Sequence, residues 1–291
     1  MATIRDFFSL VKFSHTIFAL PFALLGFTLG TIDLGRFDPL VFVLVLACMV
    51  FARSAAMAFN RYLDRDIDKL NPRTAIRDIP KGRISARSAL TFVIINAALF
   101  VITTAFINEL VLLLSPLALL VILGYSYTKR FTPLCHFVLG LGLALAPIGA
   151  YLAVTASWSW LPVLYGLIVL VWVSGFDIVY ALQDEEFDRN QSLKSIPTAL
   201  GRQGALQLGR SLHLLCAILL SATLWWQMTG HYPDRSGWLS LLAGIAFIAL
   251  LLRQHTLVKV DDLSRINLAF FTTNGLASLT FGSLLILDLL L

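Results

Sequence analysis

The sequence has little charge for its length and no regular repeat. Lys, Arg, Asp and Glu make up 13% of the 291 residues, about half of the ~25% typical of soluble domains, which excludes a soluble globular protein. The absence of periodic glycine and of any internal repeat excludes collagen-like and solenoid folds. The 3 cysteines are not spaced as a metal site or disulfide framework, and 21 phenylalanines exclude a disordered chain. A multi-span membrane protein remains.

Long apolar runs supply the spans that such a protein needs. A helix of about 20 apolar residues crosses the ~30 Å hydrocarbon core of a bilayer, and the sequence contains nine such runs. We therefore predict an all-α multi-pass membrane protein, a bundle of nine transmembrane helices in a single domain over residues 1–291, with cytoplasmic loops that cap an active site. The predicted spans are residues 16–34, 39–59, 88–107, 110–127, 134–154, 160–182, 206–229, 237–254 and 267–290.

Basic residues are divided unequally between the two sets of loops. One set holds 19 Lys and Arg residues, and the other holds only Arg36 and Arg235. Because positively charged loops stay in the cytoplasm, we predict a chain in the inner (plasma) membrane, with the N-terminus cytoplasmic and the C-terminus on the opposite side. The net charge of +5 follows from this topology and gives no reason to expect a nucleic-acid partner.

Two of the predicted cytoplasmic loops, residues 60–87 and 183–205, are long and rich in charge. Long connections often have a function, so we expect the chemistry at this face. Two acidic sets begin where the second and sixth spans enter these loops, and the helical repeat places each set on one face within a drift of about 20–40° per step. The sets are Asn60, Asp64 and Asp68 (i, i+4, i+8) and Asp177, Asp184 and Asp188 (i, i+7, i+11).

Carboxylates stacked in this way repel one another and need a compensating cation. Salt bridges at the loop ends are one explanation. Six aligned oxygen ligands on two helices suit a hard divalent cation better, and Mg²⁺ commonly binds one or two carboxylates and completes its shell with water and phosphate oxygens. The nearby basic residues would then form a polyanion pocket: Arg73, Arg77, Lys81, Arg83, Lys129, Arg130 and Lys194. The remaining acids of these loops, Asp66, Asp78, Glu185 and Glu186, are interpreted as solvated charges.

At these residues the sequence resembles the UbiA-type superfamily of intramembrane aromatic prenyltransferases. Residues 60–68 match the Asn-x-x-x-Asp-x-x-x-Asp signature, and residues 184–188 match the second signature, Asp-x-x-x-Asp. The segment YSYTKRFT, residues 125–132, matches the family segment after the fourth helix. The resemblance covers nearly the whole chain and implies a nine-helix fold.

Other residues resemble particular branches of that superfamily. Asp177, Tyr180 and Ala181 extend the second signature as in the 4-hydroxybenzoate polyprenyltransferase branch. The opening stretch, Lys12 to Leu24, is closer to relatives that prenylate 1,4-dihydroxy-6-naphthoate on the futalosine route to menaquinone, which is the alternative acceptor. Many members have Asp directly after the first Asn, whereas this chain has Arg61.

The resemblance implies Mg²⁺-dependent transfer of a polyprenyl group from polyprenyl diphosphate to an aromatic acid, through an allylic cation that the aromatic ring attacks. The phosphates would bind at the cytoplasmic mouth and the tail would lie in the bilayer. The metal ligands would be Asn60, Asp64, Asp68, Asp184 and Asp188. The diphosphate ligands would be Arg73, Arg77, Lys81, Tyr125, Lys129 and Lys194. Asp177, Asp184 and Tyr180 would be catalytic, and Arg130 would bind the acceptor.

An ion-coupled transporter is the alternative from another class, because intramembrane acids also line cation pathways. A transporter would place its charges near the bilayer midplane on broken helices in both halves. In this sequence the acids lie near one face, in motifs that continue into the long loops, which favours the enzyme.

Overall fold

The computed structural model describes residues 4–11 and 18–291, and among these residues it contains helices and no β-strand. The α-helices are α1 Ile4–Val11, α2 Leu20–Leu34, α3 Pro39–Leu63, α4 Arg65–Leu70, α5 Ala86–Ala105, α6 Glu109–Thr128, α7 Cys135–Thr155, α8 Trp160–Ala181, α9 Glu185–Asn190, α10 Ile196–Trp226, α11 Trp238–Leu257 and α12 Asn274–Leu290. A 3₁₀ turn, Leu182–Asp184, precedes α9, and π-helical segments, Gln227–His231 and Leu268–Thr273, follow α10 and precede α12.

Eight of the described helices are long and apolar enough to cross a bilayer, and they correspond to the second to ninth predicted spans. The described part of the first predicted span is α2, which has 15 residues and is shorter than the ~20 that a full crossing needs. Residues 16 and 17, the predicted start of that span, lie outside the described residues, as do residues 12–17 of the opening stretch Lys12 to Leu24. The all-α multi-span fold is confirmed, and the count of nine spans stays a prediction.

The largest difference from the predicted spans is at the start of α10. This helix begins at Ile196, ten residues before the predicted start at residue 206, so the predicted loop over residues 183–205 is wrong in extent. Ser195 starts the helix: its Oγ accepts from the Thr198 N–H at 3.3 Å, and the Thr198 Oγ accepts from the Ser195 N–H at 2.8 Å. Gly201 breaks the helix with a φ of 69°. A search for apolar runs misses this first part because polar residues such as Arg202 and Gln203 follow the break.

The two acidic sets do not lie on unbroken helices, as the sequence predicted. α3 ends at Leu63, and Asp64 has φ −88° and ψ 3°. Backbone hydrogen bonds with helical spacing still run from Asp64 N–H to Asn60 O (2.9 Å) and from Asp68 N–H to Asp64 O (2.7 Å), so the first set keeps its common direction across the break. In the second set, the 3₁₀ turn separates α8 from α9. Both breaks fall where an apolar span gives way to a charged segment.

Aromatic side chains at the centre of the bundle fix α8 in place. The Trp172 ring lies 5.6 Å from Phe22 of α2 and 5.3 Å from Phe247 of α11, measured between ring centroids. Its indole N–H donates to Asn274 Oδ1 at the start of α12, at 3.0 Å. The second acidic set, which begins at Asp177 near the end of α8 and continues into the 3₁₀ turn and α9, therefore extends from a helix packed on several sides.

The end of α2 is tied to two other segments by a group that we call the Asp33 cluster: Asp33, Tyr151 and Tyr232. The Tyr151 hydroxyl donates to Asp33 Oδ2 at 2.7 Å, and the Tyr232 hydroxyl donates to Asp33 Oδ1 at 2.5 Å. Tyr151 lies 15 residues after His136, which is near the start of α7, or about 22 Å along the helix. The cluster thus joins α2, α7 and the segment after α10 at the end of α7 that is remote from the acidic sets.

Candidate active site

Asp64 joins the end of α3 to the end of α6. Its carboxylate is bound by Lys129 Nζ at 2.7 Å on Oδ2 and by Arg130 Nη2 at 2.9 Å on Oδ1. Asn60 Nδ2 also donates to Oδ2, at 3.3 Å. The residue is only 2% exposed, so this carboxylate is buried with two cations beside it.

Asp68 is a second buried carboxylate, and its two oxygens have different surroundings. Arg77 Nη1 lies 2.5 Å from Oδ1, whereas Oδ2 is buried without a hydrogen-bond partner in the described part of the chain. Thr74 Oγ1 donates to the main-chain carbonyl of Asp68 at 3.1 Å. A buried carboxylate oxygen without a donor is costly unless a cation or another donor binds there.

Two side chains from the loop that follows the first acidic set bind the Asp184 carboxylate. Arg73 binds both of the carboxylate oxygens, with Nε 2.9 Å from Oδ1 and Nη2 in contact with Oδ2. Asn71 Nδ2 donates to Oδ1 at 3.0 Å. Burial alone would lower the pKa of Arg73, but the hydrogen bonds and charge of Asp184 outweigh it and raise that pKa. The loop after α4 therefore lies against the junction of α8 and α9, which brings the two acidic sets to one region.

The end of α6 also contacts the second set. The Lys194 N–H donates to the Lys129 carbonyl at 2.7 Å. Asp188 lies within electrostatic range of Asp184, Lys129 and Arg73, and it forms no ion pair within 4.0 Å among residues 4–11 and 18–291. The Lys194 side chain is exposed.

Other predicted site residues lie on the same side of the bundle but differ in their contacts. Tyr180 stacks on Phe270 with ring centroids 3.9 Å apart, and the Arg73 guanidinium lies 5.9 Å from the Tyr180 ring. Tyr125 is within electrostatic range of Arg61 and Asp64.

Two further basic residues of the first loop have no acidic partner within the described residues. Arg61 is partly buried and lies within electrostatic range of Asp64 and Asp68, but it forms no ion pair there. Lys81 is exposed and likewise has no ion pair within 4.0 Å in that part of the chain.

Arg130, which the sequence predicted to bind the acceptor, contacts other groups of the protein. Besides Asp64, its guanidinium donates to the main-chain oxygens of Ser126 (2.9 Å) and Leu63 (3.1 Å). Protein groups thus hold this side chain between α3 and α6. These contacts favour a role in fixing Asp64 over one in binding an acceptor carboxylate.

The interpretation of Asp78 and Glu185 as solvated charges is wrong. Asp78 is 7% exposed, and it accepts from the Ser9 hydroxyl at 2.9 Å and from Arg83 at 3.3 Å. Glu185 binds Arg202 at 3.0 Å and Arg189 at 2.8 Å. Both carboxylates therefore bind neighbouring segments. The bond from Ser9 to Asp78 joins residues 69 apart and the bond from Arg202 to Glu185 joins residues 17 apart, so these two contacts leave no local pattern in the sequence.

Sequence reasoning also missed His136. Its Nδ1 lies 2.7 Å from Asp177 Oδ2, and the residue is 3% exposed. The only sequence signal is a single polar residue near the start of an apolar span, which is too weak to identify a partner 41 residues away. Asn71 was missed for the same reason, because its partner, Asp184, is 113 residues away.

The carboxylates fit a magnesium ion only with help from a ligand. No group of three or more His, Cys, Asp or Glu residues in the described part of the chain is arranged to hold a metal, so the six acidic-set residues do not form one metal-binding group. Mg²⁺ commonly uses one or two carboxylates plus phosphate oxygens and water. The buried, unpartnered Asp68 Oδ2 and the Asp188 carboxylate suit that mode.

Comparisons with known proteins agree with this geometry. Residues 19–276 match the UbiA prenyltransferase family. A 4-hydroxybenzoate octaprenyltransferase of Aliivibrio salmonicida is 30% identical over 243 residues, which cover 83% of this chain and 82% of that protein. The apo structure of a UbiA homolog from Aeropyrum pernix K1 has a TM-score of 0.82 and 33% identity, and the match covers 94% of this chain and 98% of that one.

The structure of a UbiA homolog from Archaeoglobus fulgidus bound to GPP and Mg²⁺ has the same fold, with a TM-score of 0.75, 23% identity and coverage of 98% of this chain and 100% of that one. The family match spans most of the chain and includes both acidic sets, which sets aside the transporter. The chain belongs to the UbiA prenyltransferase family and is a membrane prenyltransferase.

Proposed function

We propose that this prenyltransferase transfers a polyprenyl group from polyprenyl diphosphate to an aromatic acid in quinone biosynthesis, with Mg²⁺ as cofactor and 4-hydroxybenzoate as acceptor. The observation behind the proposal is the meeting of two acidic sets with the cations that a diphosphate requires. The relative from Aliivibrio salmonicida is named for the same acceptor, and the homolog from Archaeoglobus fulgidus binds GPP and Mg²⁺.

The diphosphate would bind at the polar end of the bundle, and the isoprenoid tail would lie among the apolar helices. Arg73, Arg77 and Lys129 each pair with a carboxylate of the acidic sets. Each such pair joins a cation suited to phosphate with a carboxylate suited to a metal. Binding of metal and diphosphate would exchange these pairs, so that phosphate oxygens take the cations. Lys81, Lys194 and Arg61 have no acidic partner within the described residues and would add positive charge without such an exchange.

The metal would be held by Asn60, Asp64, Asp68, Asp184 and Asp188, in ones or twos per ion. When bound, Mg²⁺ withdraws negative charge from the departing diphosphate. The protein cations around it stabilise the same charge.

The reaction breaks the bond between the allylic carbon and the diphosphate oxygen, and the electron pair leaves with diphosphate. Tyr125 and Tyr180 would face the allylic cation and stabilise it by cation–π attraction. The acceptor ring then forms a carbon–carbon bond with the cation and loses a proton from the same ring carbon. Asp177 lies on α8, deeper than Asp184, and we assign it as the group that takes this proton. The apolar helices around the site keep water from capturing the cation.

The orientation of the chain follows from the distribution of basic residues. We place the N-terminus and the active site on the cytoplasmic side of the inner membrane and the C-terminus on the opposite side. Water-soluble acceptor and diphosphate would then meet at the cytoplasmic mouth.

The test is a transfer assay with purified protein in lipid vesicles, Mg²⁺ and radiolabelled polyprenyl diphosphate. Parallel reactions contain 4-hydroxybenzoate or 1,4-dihydroxy-6-naphthoate. We expect prenylated 4-hydroxybenzoate, no product after EDTA, and loss of product in Asp184→Asn. The matched control is Asp66→Asn, since the Asp66 side chain is 84% exposed, and it should retain activity. Product from the naphthoate alone would overturn the acceptor assignment, and equal activity of Asp184→Asn and Asp66→Asn would overturn the site.

A further inference from the structure

His136 and Asp177 form a buried pair where α7, α8 and α10 meet. His136 Nδ1 lies 2.7 Å from Asp177 Oδ2. The main-chain N–H of Ile196, the first residue of α10, points at His136 Nε2 from 3.3 Å. Each of the three helices thus contributes one member to a short chain of hydrogen bonds.

This chain of hydrogen bonds fixes the tautomer of the imidazole. A backbone N–H can only donate, so His136 Nε2 acts as an acceptor and bears no proton. The proton of a neutral imidazole is then on Nδ1, where it is donated to Asp177 Oδ2. The Ser174 hydroxyl donates to the His136 carbonyl at 3.3 Å, which also holds the backbone of this residue against α8.

The pair leaves one Asp177 oxygen available. Oδ2 is occupied by His136, whereas Oδ1 has no hydrogen bond from any described residue, and the Asp177 side chain is 21% exposed. Tyr125 lies within electrostatic range of Asp177 from the side of α6. The free oxygen is therefore near the proposed reaction space, on a carboxylate that cannot rotate without breaking its bond to His136.

We propose that His136 is a positioning residue, which holds Asp177 so that Oδ1 faces the ring carbon that loses its proton. This inference rests on the proposed function, in which Asp177 takes that proton. A carboxylate with one oxygen fixed by a donor presents the other oxygen in one orientation, and general bases depend on such geometry. The proton passes from the ring carbon to Oδ1, and the electron pair of the broken C–H bond restores aromaticity.

The test measures the deuterium isotope effect on turnover with an acceptor deuterated at the reacting ring carbon. The variants are His136→Leu, which removes the donor, and His136→Asn, whose amide nitrogen takes the place of Nδ1. We expect His136→Leu to lower kcat about 10- to 100-fold, part of the about 10²–10⁴-fold that a general base supplies, with the KM of the diphosphate unchanged. Its isotope effect should exceed that of the unaltered protein by about twofold, because proton loss becomes slow. His136→Asn should restore both values.

A merely structural His136 would lower the melting temperature and the amount of folded protein, but it would leave the isotope effect unchanged in both variants, and that result overturns the inference. If His136→Leu does not fold, His136→Gln replaces it, since its longer amide reaches towards Ile196 and not Asp177. Asp177→Asn separates the two proposals. An isotope effect raised in Asp177→Asn but not in the His136 variants refutes only the positioning role, whereas no change in Asp177→Asn refutes the assignment of Asp177 as base.

Discussion

Asp68→Asn separates the metal-binding role of a buried carboxylate from its structural role. In stability, two terms oppose each other. The amide oxygen can still accept from Arg77, but exchanging a charged acceptor for a neutral one costs about 1 kcal/mol, while an uncharged amide costs less than a carboxylate to bury without a partner. The two partners are 5% and 20% exposed, so neither term is screened away. We therefore expect the free energy of unfolding to change by no more than about 1 kcal/mol.

The effect of the same substitution on metal dependence should be large. Changing a residue that only orients a metal ligand costs about 10- to 100-fold in metal affinity, so loss of a direct ligand should cost at least about 100-fold. The assay is the initial rate of transfer against free Mg²⁺ at saturating substrates, beside thermal unfolding in the same detergent.

Asp78→Asn is the matched control for Asp68→Asn, because Asp78 is equally buried in the same loop and lies outside both acidic sets. It should leave the Mg²⁺ dependence unchanged. A marked loss of stability in Asp68→Asn together with an unchanged Mg²⁺ dependence would refute the reasoning.

Other substitutions test the remaining contacts. Arg130→Ala removes one of the two cations that bind Asp64, so we expect it to raise the KM of polyprenyl diphosphate and the Mg²⁺ requirement. A rise confined to the KM of the acceptor would instead support the acceptor-binding role predicted from the sequence. Arg73→Ala removes the two hydrogen bonds to Asp184 and should raise the KM of the diphosphate at least about 10-fold, as expected for a charged phosphate ligand, whereas an unchanged value argues against phosphate binding there. Asp288→Ala should lower the free energy of unfolding by about 2–3 kcal/mol, since Asp288 Oδ2 accepts from Gly237 N–H (2.6 Å), Ser240 N–H (2.9 Å) and the Ser240 hydroxyl (2.6 Å). Thermal unfolding in detergent measures this loss of stability. A loss no larger than that of the cap variant Asp38→Ala, about 1 kcal/mol, would contradict the prediction.

The sequence was sufficient for features that depend on local spacing. Apolar runs located the eight long helices, and the majority of the predicted helix ends are within a few residues of the observed ones. This works because a helix that crosses a bilayer must be apolar wherever it faces lipid or other helices. Ion pairs between the acidic sets and basic residues were one of the two explanations that the sequence offered, beside a divalent cation, since stacked carboxylates at a membrane surface need cations. The sequence did not predict which residues bind each other: Asn71 and Asp184, for example, are 113 residues apart.

Features that neither hydropathy nor local spacing marks were missed for physical reasons. The start of α10 depends on a capping box at Ser195, which is a local signal. A search based on hydropathy does not find this start because the first part of the helix is polar. The hydrogen bond of His136 depends on how α7 packs on α8. The contacts of Arg130 depend on main-chain oxygens, which every residue has, so no sequence pattern marks them.

The Asp33 cluster has a consequence for donors of different size. Because it ties α2, α7 and the segment after α10 together at the remote end of the bundle, we expect it to act as a pivot, with the helices separating more readily at the opposite end. A longer isoprenoid tail would then be admitted by spreading of the helices near the mouth. Weakening the pivot, as in Tyr151→Phe, should broaden the range of tail lengths accepted without altering the chemistry of transfer.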